Sequence, residues 1–374
     1  CPQRFGAIPQ RWTLGPAMAG FRIGQDVAGR QAWARMWVPY LSFLPLMLQG
    51  SRGTLVAGPE QAGTEASMCP GVFELGGHGD VALTAAGWAE TEDGGKVSLI
   101  NNGVTMRMST RAYFADTCRN RAYDYRRYTA LDLRGKTLRF STDVSGAGCG
   151  CNAAFYLVSM RQNANVSDCG DYYCDANEVC GVSCEEIDIM EANRHAWHST
   201  LHSAHDRNGQ ASGYGGGGAH WTGPRDFGEW QFGEGSTCVD TRHPFQVAVS
   251  FPVDGTGTLT SMDVKLSQLG KSCTVEMSVK GYSGMAKLSA ALARGMTPVV
   301  SYWEAKDMLW MDGKGPDEKG PCSKDRLRCG DIVRFFDFSL TGRGVPGATL
   351  APTWREPPST TMPPRVQAKP EKVP

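Results

Sequence analysis

The chain has 374 residues with 38 Lys+Arg against 38 Asp+Glu, so its formal net charge is zero. No basic surplus recommends nucleic acid or an anionic membrane surface, and those partner classes drop out first. With 46 Gly and 21 Pro, turns should be plentiful and long helices few. From Met18, a segment carrying Arg22, Arg30 and Arg35 leads into the short apolar run from Met36 to Leu48, the pattern of a secretory signal peptide. Pro39 and Pro45, and a run well short of the ~20 residues that span a bilayer, argue against a membrane helix. Residues 1–53 are therefore expected to be an N-terminal extension with a signal. The mature protein is then secreted, with no membrane contact once the signal is removed.

Residues 54–342 read as one globular domain. Short strand-like runs are predicted at 97–100, 104–108, 137–144, 153–160, 186–191, 245–251, 258–266, 274–279, 298–303 and 332–340, each bounded by Gly, Asp, Asn or Pro. The Ala/Leu-rich stretch from Met285 to Ala293, closed by Gly295, predicts a short helix. Strands joined by turns, with hardly any helix between them, predict an all-β sandwich of two antiparallel sheets. Residues 343–374 shift to Pro with Ser359, Thr360 and Thr361 among them, an extended tail or linker with no core of its own.

Thirteen cysteines suit an oxidising compartment. Loss of Cys1 with the N-terminal segment leaves twelve, enough for six disulfides whose pairing the spacing does not give. Asn165-Val166-Ser167 is a glycosylation sequon on a polar loop.

The most informative residues are Glu186-Ile187-Asp188-Ile189-Met190-Glu191. On a regular strand Glu186 and Asp188 share one face, with Ile187 and Ile189 on the other. Glu191 is out of phase. It would be buried among apolar side chains unless the strand carries a one-residue bulge, the device that re-aims a side chain beside an active site. With the bulge the glutamates lie roughly 13 Å apart along the backbone. Inward-leaning side chains then bring the carboxyls to ~5 Å, the separation of a retaining glycosidase pair. Asp188 between them can hydrogen-bond the nucleophile and tune which glutamate holds the proton.

The run Glu186-Ile-Asp-Ile-Met-Glu-Ala-Asn193 resembles the catalytic strand of glycoside hydrolase family 7, the cellulase family, whose pattern is Glu-x-Asp-x-Trp-Glu-Ala-Asn. The resemblance implies a concanavalin-like β-jelly-roll sandwich with a long substrate cleft. It also implies Glu186 as nucleophile, Asp188 as its assistant, Glu191 as acid/base and His202 as a substrate contact. Cys149-Gly-Cys-Asn152-Ala-Ala-Phe-Tyr156 is similar to a second family strand and implies that Asn152 and Tyr156 reach the glycone side and the nucleophile. Tyr173-Cys174-Asp175-Ala176-Asn177 resembles a third segment, implying substrate contacts from Tyr173, Asp175 and Asn177. Trp303 and Trp310 lie in segments similar to family pieces and are implied as leaving-group-side platforms, where flat aromatic faces suit sugar C–H patches.

The chain also departs from the family pattern. Met190 stands where the family has Trp, and the resulting motif is also typical of family 16 laminarinase-like glucanases, which share the sandwich and the mechanism. Lys319 takes the place of a family arginine at a leaving-group subsite, losing bidentate hydrogen bonding. Short loops between motifs suggest an open cleft and internal cleavage. The implied function is a secreted, monomeric, retaining β-glucanase cutting internal β-1,4 bonds of cellulose-like β-glucan, with no cofactor and no metal. Alternatives are a family 16-like β-1,3(4)-glucanase and a carbohydrate-binding protein that has lost catalysis. His195, His198, His202 and His205, or Cys169, Cys174, Cys180 and Cys184, could be imagined as metal ligands. The polar setting of the first group and the oxidising context of the second weigh against that.

Overall fold

The computed structural model describes residues 68–86, 97–120, 122–211, 226–305, 308–312, 322, 329–330 and 332–342. The segment expected to be a signal, the Pro-rich tail and the glycine-dense stretch around Tyr214 lie outside the described residues. Sixteen strands follow in chain order: β1 (Gly71–Leu75), β2 (Gly79–Ala85), β3 (Val97–Ile100), β4 (Gly103–Arg107), β5 (Thr110–Ala115), β6 (Thr137–Asp143), β7 (Cys151–Val158), β8 (Glu186–Ala192), β9 (Trp197–His202), β10 (Phe232–Gly233), β11 (Val239–Asp240), β12 (Phe245–Ser250), β13 (Ser261–Ser267), β14 (Val275–Lys280), β15 (Thr297–Glu304) and β16 (Ile332–Thr341). The helices are α1 (Met285–Arg294) and the single turn α2 (Leu309–Asp312).

Two seven-stranded antiparallel sheets form the sandwich, in the orders β1-β2-β5-β15-β7-β8-β9 and β14-β13-β12-β6-β16-β4-β3. Between them sits an aromatic core. Phe155 packs 4.6 Å from Phe140 and 5.9 Å from Phe114, and Phe338 reaches Phe114 at 5.3 Å. Each ring arises from an inward position of a strand, so the β period of two builds the core directly. All twelve cysteines among the described residues pair, as Cys69–Cys118, Cys149–Cys322, Cys151–Cys329, Cys169–Cys180, Cys174–Cys184 and Cys238–Cys273.

The predicted strands and helix α1 are present, with boundaries shifted by a residue or a few, and six further strands appear: β1, β2, β5, β9, β10 and β11. Two of them carry a lesson. Every residue of β5 and of β9 is buried, so neither shows the polar/apolar alternation that marks a half-exposed strand. The polar residues of β9, His198 to Thr200 and His202, are inside the protein rather than on its surface.

Candidate active site

β8 carries the bulge that its sequence demands. Pairing with β7 runs Asp188 to Tyr156 and then Met190 to Phe155, so Ile189 has no partner across the ladder. The same extra residue interrupts pairing with β9 between Asp188 and Glu191. Ile189 and Met190 both enter the core between the sheets, and Glu191 is returned to the face of Glu186 and Asp188.

Three cross-strand rows line that face, since directly paired residues share a side of the sheet. One runs Arg111, Ser301, Ala154, Glu191, His198 from β5 to β9. The next runs Tyr113, Val299, Tyr156, Asp188, Thr200, and the last Thr297, Val158, Glu186, His202. Trp303 and Asn152 pair one row beyond Glu191. Strand pairing, with the β8 bulge, thus gathers seven of the sequence-predicted site residues on one surface: the three acids with Asn152, Tyr156, His202 and Trp303.

Each acid has a distinct partner. Asn152 donates its amide N–H to Glu191 Oε1 at 2.8 Å. The backbone N–H of Ala176 donates to Glu186 Oε2 at 3.0 Å. His202 Nε2 lies 3.1 Å from Asp188 Oδ2, while its Nδ1 lies 2.8 Å from the carbonyl oxygen of Asp206. A carbonyl only accepts, so Nδ1 carries a proton, and a second proton sits between Nε2 and Asp188. Gly209 allows this arrangement. It holds φ +56°, and a Cβ there would lie 2.5 Å from His202 Nδ1, so only glycine fits.

Burial raises all three acids above the usual carboxylate range. Glu186 is raised well above it by desolvation and then by the charges of Asp188 and Asp175, opposed by His202 and the Ala176 N–H. Desolvation takes Asp188 to about 8, with Asp175 adding to it. Glu191 also reaches about 8, through desolvation and the charge of Asp188, with the Asn152 hydrogen bond opposing. Several buried carboxyls this close cannot all ionise, so the cluster retains protons at neutral pH.

The segment bearing Tyr173, Asp175 and Asn177 is a loop stapled by Cys169–Cys180 and Cys174–Cys184. Those bridges place the Ala176 N–H against Glu186, and they remove the four cysteines from any metal set. Tyr173 and Tyr156 hydroxyls meet at 3.0 Å. Beneath Tyr173 lies Arg111, its guanidinium 3.6 Å from the ring centroid and its Nε donating to Tyr113 at 2.9 Å. Arg111, which sequence reasoning missed, is almost wholly buried. Its signal is a lone cation inside the otherwise uncharged run from Thr110 to Ala115.

Two cavities of about 280 and 250 Å³ meet at the acids. Both include Glu186, Asp188, Glu191, Asn177 and Trp303. One extends to His202, Arg207 and Trp310, the other to Arg111, Tyr156, Tyr173 and Asp175. Trp303 therefore borders both sides rather than one. Lys319 lies outside the described residues. Among the histidines, His205 is exposed and pairs with Glu178 at 2.7 Å, and His198 is buried on β9. The trio Cys149, His195, Cys322 comes within ligand distance of one another, but its two sulfurs are bonded together and offer no thiolate.

A family model described as glycosyl hydrolase family 7 matches residues 82–179. That is about a quarter of the chain, and it ends before β8. Endoglucanase EG-1 of Trichoderma longibrachiatum is 30% identical over 239 residues, covering 52% of this chain and 48% of the relative. A probable endo-beta-1,4-glucanase, celB, of Aspergillus fumigatus is 28% identical over 273 residues, covering 60% and 63%. The chain thus spans about half the length of the first of these relatives. Among solved structures, a family 7 cellobiohydrolase from Daphnia pulex superposes with a TM-score of 0.50 at 16% identity, covering 75% of this chain and 98% of that one, a likeness that bears on the fold. The sandwich is a β-jelly roll, and the sequence matches support glycoside hydrolase family 7.

Proposed function

We propose that the chain is a family 7 glycoside hydrolase: a secreted, retaining endo-β-glucanase that cuts internal β-1,4 bonds of cellulose-like β-glucan. The observation that carries the reading is the β8 bulge, which turns two glutamates and an aspartate onto one face between two cavities. A pure binding site has no use for such a set. Glu186, held by a backbone N–H and paired across the ladder with His202, is the nucleophile; burial raises its pKa, so it attacks the anomeric carbon as the carboxylate while the cluster's protons sit on Glu191 and between Asp188 and His202. Glu191, which keeps its proton at neutral pH, protonates the departing oxygen and then deprotonates the water that releases the glycosyl-enzyme. Asp188 and His202 share a proton beside the nucleophile and set its charge.

Arg111, Tyr156, Tyr173 and Asp175 line the glycone side, and Trp310 with Trp303 supports the leaving group. A neutral polysaccharide also suits a chain with no net charge. The name of the celB relative, an endo-beta-1,4-glucanase, favours β-1,4 over β-1,3 cleavage. Purified protein should release reducing ends from carboxymethyl cellulose and mixed-linkage glucan, and Glu186→Gln should not. Hydrolysis of laminarin in preference to both would instead favour the family 16-like specificity. Binding without hydrolysis of any of the three would leave a carbohydrate-binding protein and overturn the enzyme reading.

A further inference from the structure

We propose that His198 is a positioning residue that ties the Trp310 platform to the strand paired with the acid/base, holding the departing sugar against Glu191; this rests on the glucanase reading above. On β9, His198 stands directly opposite Glu191 and on the same face. It is completely buried. Its Nε2 lies 3.0 Å from the carbonyl oxygen of Met311, which only accepts, so the ring donates to the residue that follows Trp310. The imidazole also packs on Trp310, centroids 5.9 Å apart and planes tilted by 55°. Trp310 in turn borders the cavity that holds Glu191 and His202.

The turn bearing Trp310 has four helical residues, too few to be stable alone. Two anchors hold it. Asp312 accepts from the Gly150 N–H and from the Asn193 amide, each at 2.5 Å, fixing the end of the turn to the strands. His198 fixes its middle, next to the tryptophan. The imidazole thus links the turn, next to Trp310 itself, to the point of β9 that pairs with the general acid Glu191.

The test uses the full chain with His198→Leu, which fills similar space without a donor, and His198→Gln, whose amide can donate near the Nε2 position. Cellotetraose places sugar on the Trp310 side, whereas β-cellobiosyl fluoride leaves that side empty and needs little protonation of its leaving group. His198→Leu should lower kcat/KM on cellotetraose about tenfold, mainly through KM, as expected for one lost hydrogen bond. The fluoride should change by less than about twofold, and His198→Gln should recover most of the loss. Independently of turnover, amide hydrogen exchange across residues 308–312 should speed up in His198→Leu and return in His198→Gln. Equal losses on both substrates, no loss on either, or unchanged exchange would overturn the proposal. If the unaltered chain turned over neither substrate, the glucanase reading would fall, while the exchange measurement would still decide whether His198 holds the turn.

Discussion

On β12, Phe245, Val247 and Val249 are buried while Gln246 is exposed and Ala248 and Ser250 are half-buried; β13 and β14 follow a similar alternation. On β5, β7 and β9 of the opposite sheet no residue is exposed, and on β8 only Glu191 is even half-open. Both sheets contribute apolar side chains to the core they share. The difference is on their other faces: one meets water, the other is covered by the disulfide-stapled loop and the Trp310 turn. A polar residue on the first face costs little, while one on the second must find a partner or lose its charge. A larger cavity, about 640 Å³, lies on the water-facing sheet among Arg139, Lys265, Asp263 and Glu276. Its Glu276 is held below the usual carboxylate range by the exposed Lys265 beside it, the opposite of an acid raised by burial. Buried, partnered polarity marks the site here, and cavity size does not.

Substitutions on the two faces should separate in effect. The largest change is expected at Glu186→Gln, with kcat on β-1,4-glucan falling by roughly 10⁴-fold or more while the protein folds and binds glucan. Glu191→Gln should lose about 10²- to 10⁴-fold on glucan and far less on β-cellobiosyl fluoride. For the unaltered enzyme, kcat/KM should decline as pH rises through about 8, where Glu191 gives up its proton. The stability sign follows from the same shift. The folded state holds this proton more tightly than the unfolded chain, so the site's contribution is full below the ordinary carboxyl pKa and is lost as pH rises towards 8. Thermal unfolding at pH 7 should therefore find Glu191→Gln no less stable than the parent, with a gain on the order of 1–3 kcal/mol.

Phe155→Ala probes the core that the sheets share and should cost about 3–5 kcal/mol in denaturant unfolding. Gly209→Ala drives a methyl into His202. It should reduce kcat about tenfold or more, with a pH profile displaced from the parent's because Asp188 loses its proton partner. At the small end lies Lys265→Ala on the water-facing sheet. Its pair with Glu276, 2.7 Å apart, is more than half exposed on both sides, so stability should move by less than about 0.5 kcal/mol and activity not at all. A large catalytic loss there would erase the contrast between the faces.

The same contrast explains what could be read from the sequence. β3, β12 and β16 alternate or carry β-branched and aromatic runs, and they stand at or close to their predicted positions. The out-of-phase Glu191 required a bulge, and the bulge is there, because an acid facing the core has no cheap alternative. β5 and β9 escaped because burial on both faces removes the alternation. Arg111 and His198 escaped with them, since their roles depend on neighbours far along the chain: Tyr173 and Asp171 for one, Met311 and Trp310 for the other. Gly209 was one glycine among 46, and only the approach of the His202 ring singles it out. The disulfide count was legible from the number of cysteines, but the pairing needed the fold.

The central claim is that Glu186 is the nucleophile of a retaining mechanism, and it can be tested by trapping. Incubation with 2-deoxy-2-fluoro-β-cellobiosyl fluoride, followed by peptide mass spectrometry, should find one fluorocellobiosyl group esterified to Glu186, with activity lost in proportion. Attachment at Glu191 instead, or turnover of glucan with inverted anomeric configuration and no adduct, would contradict the account.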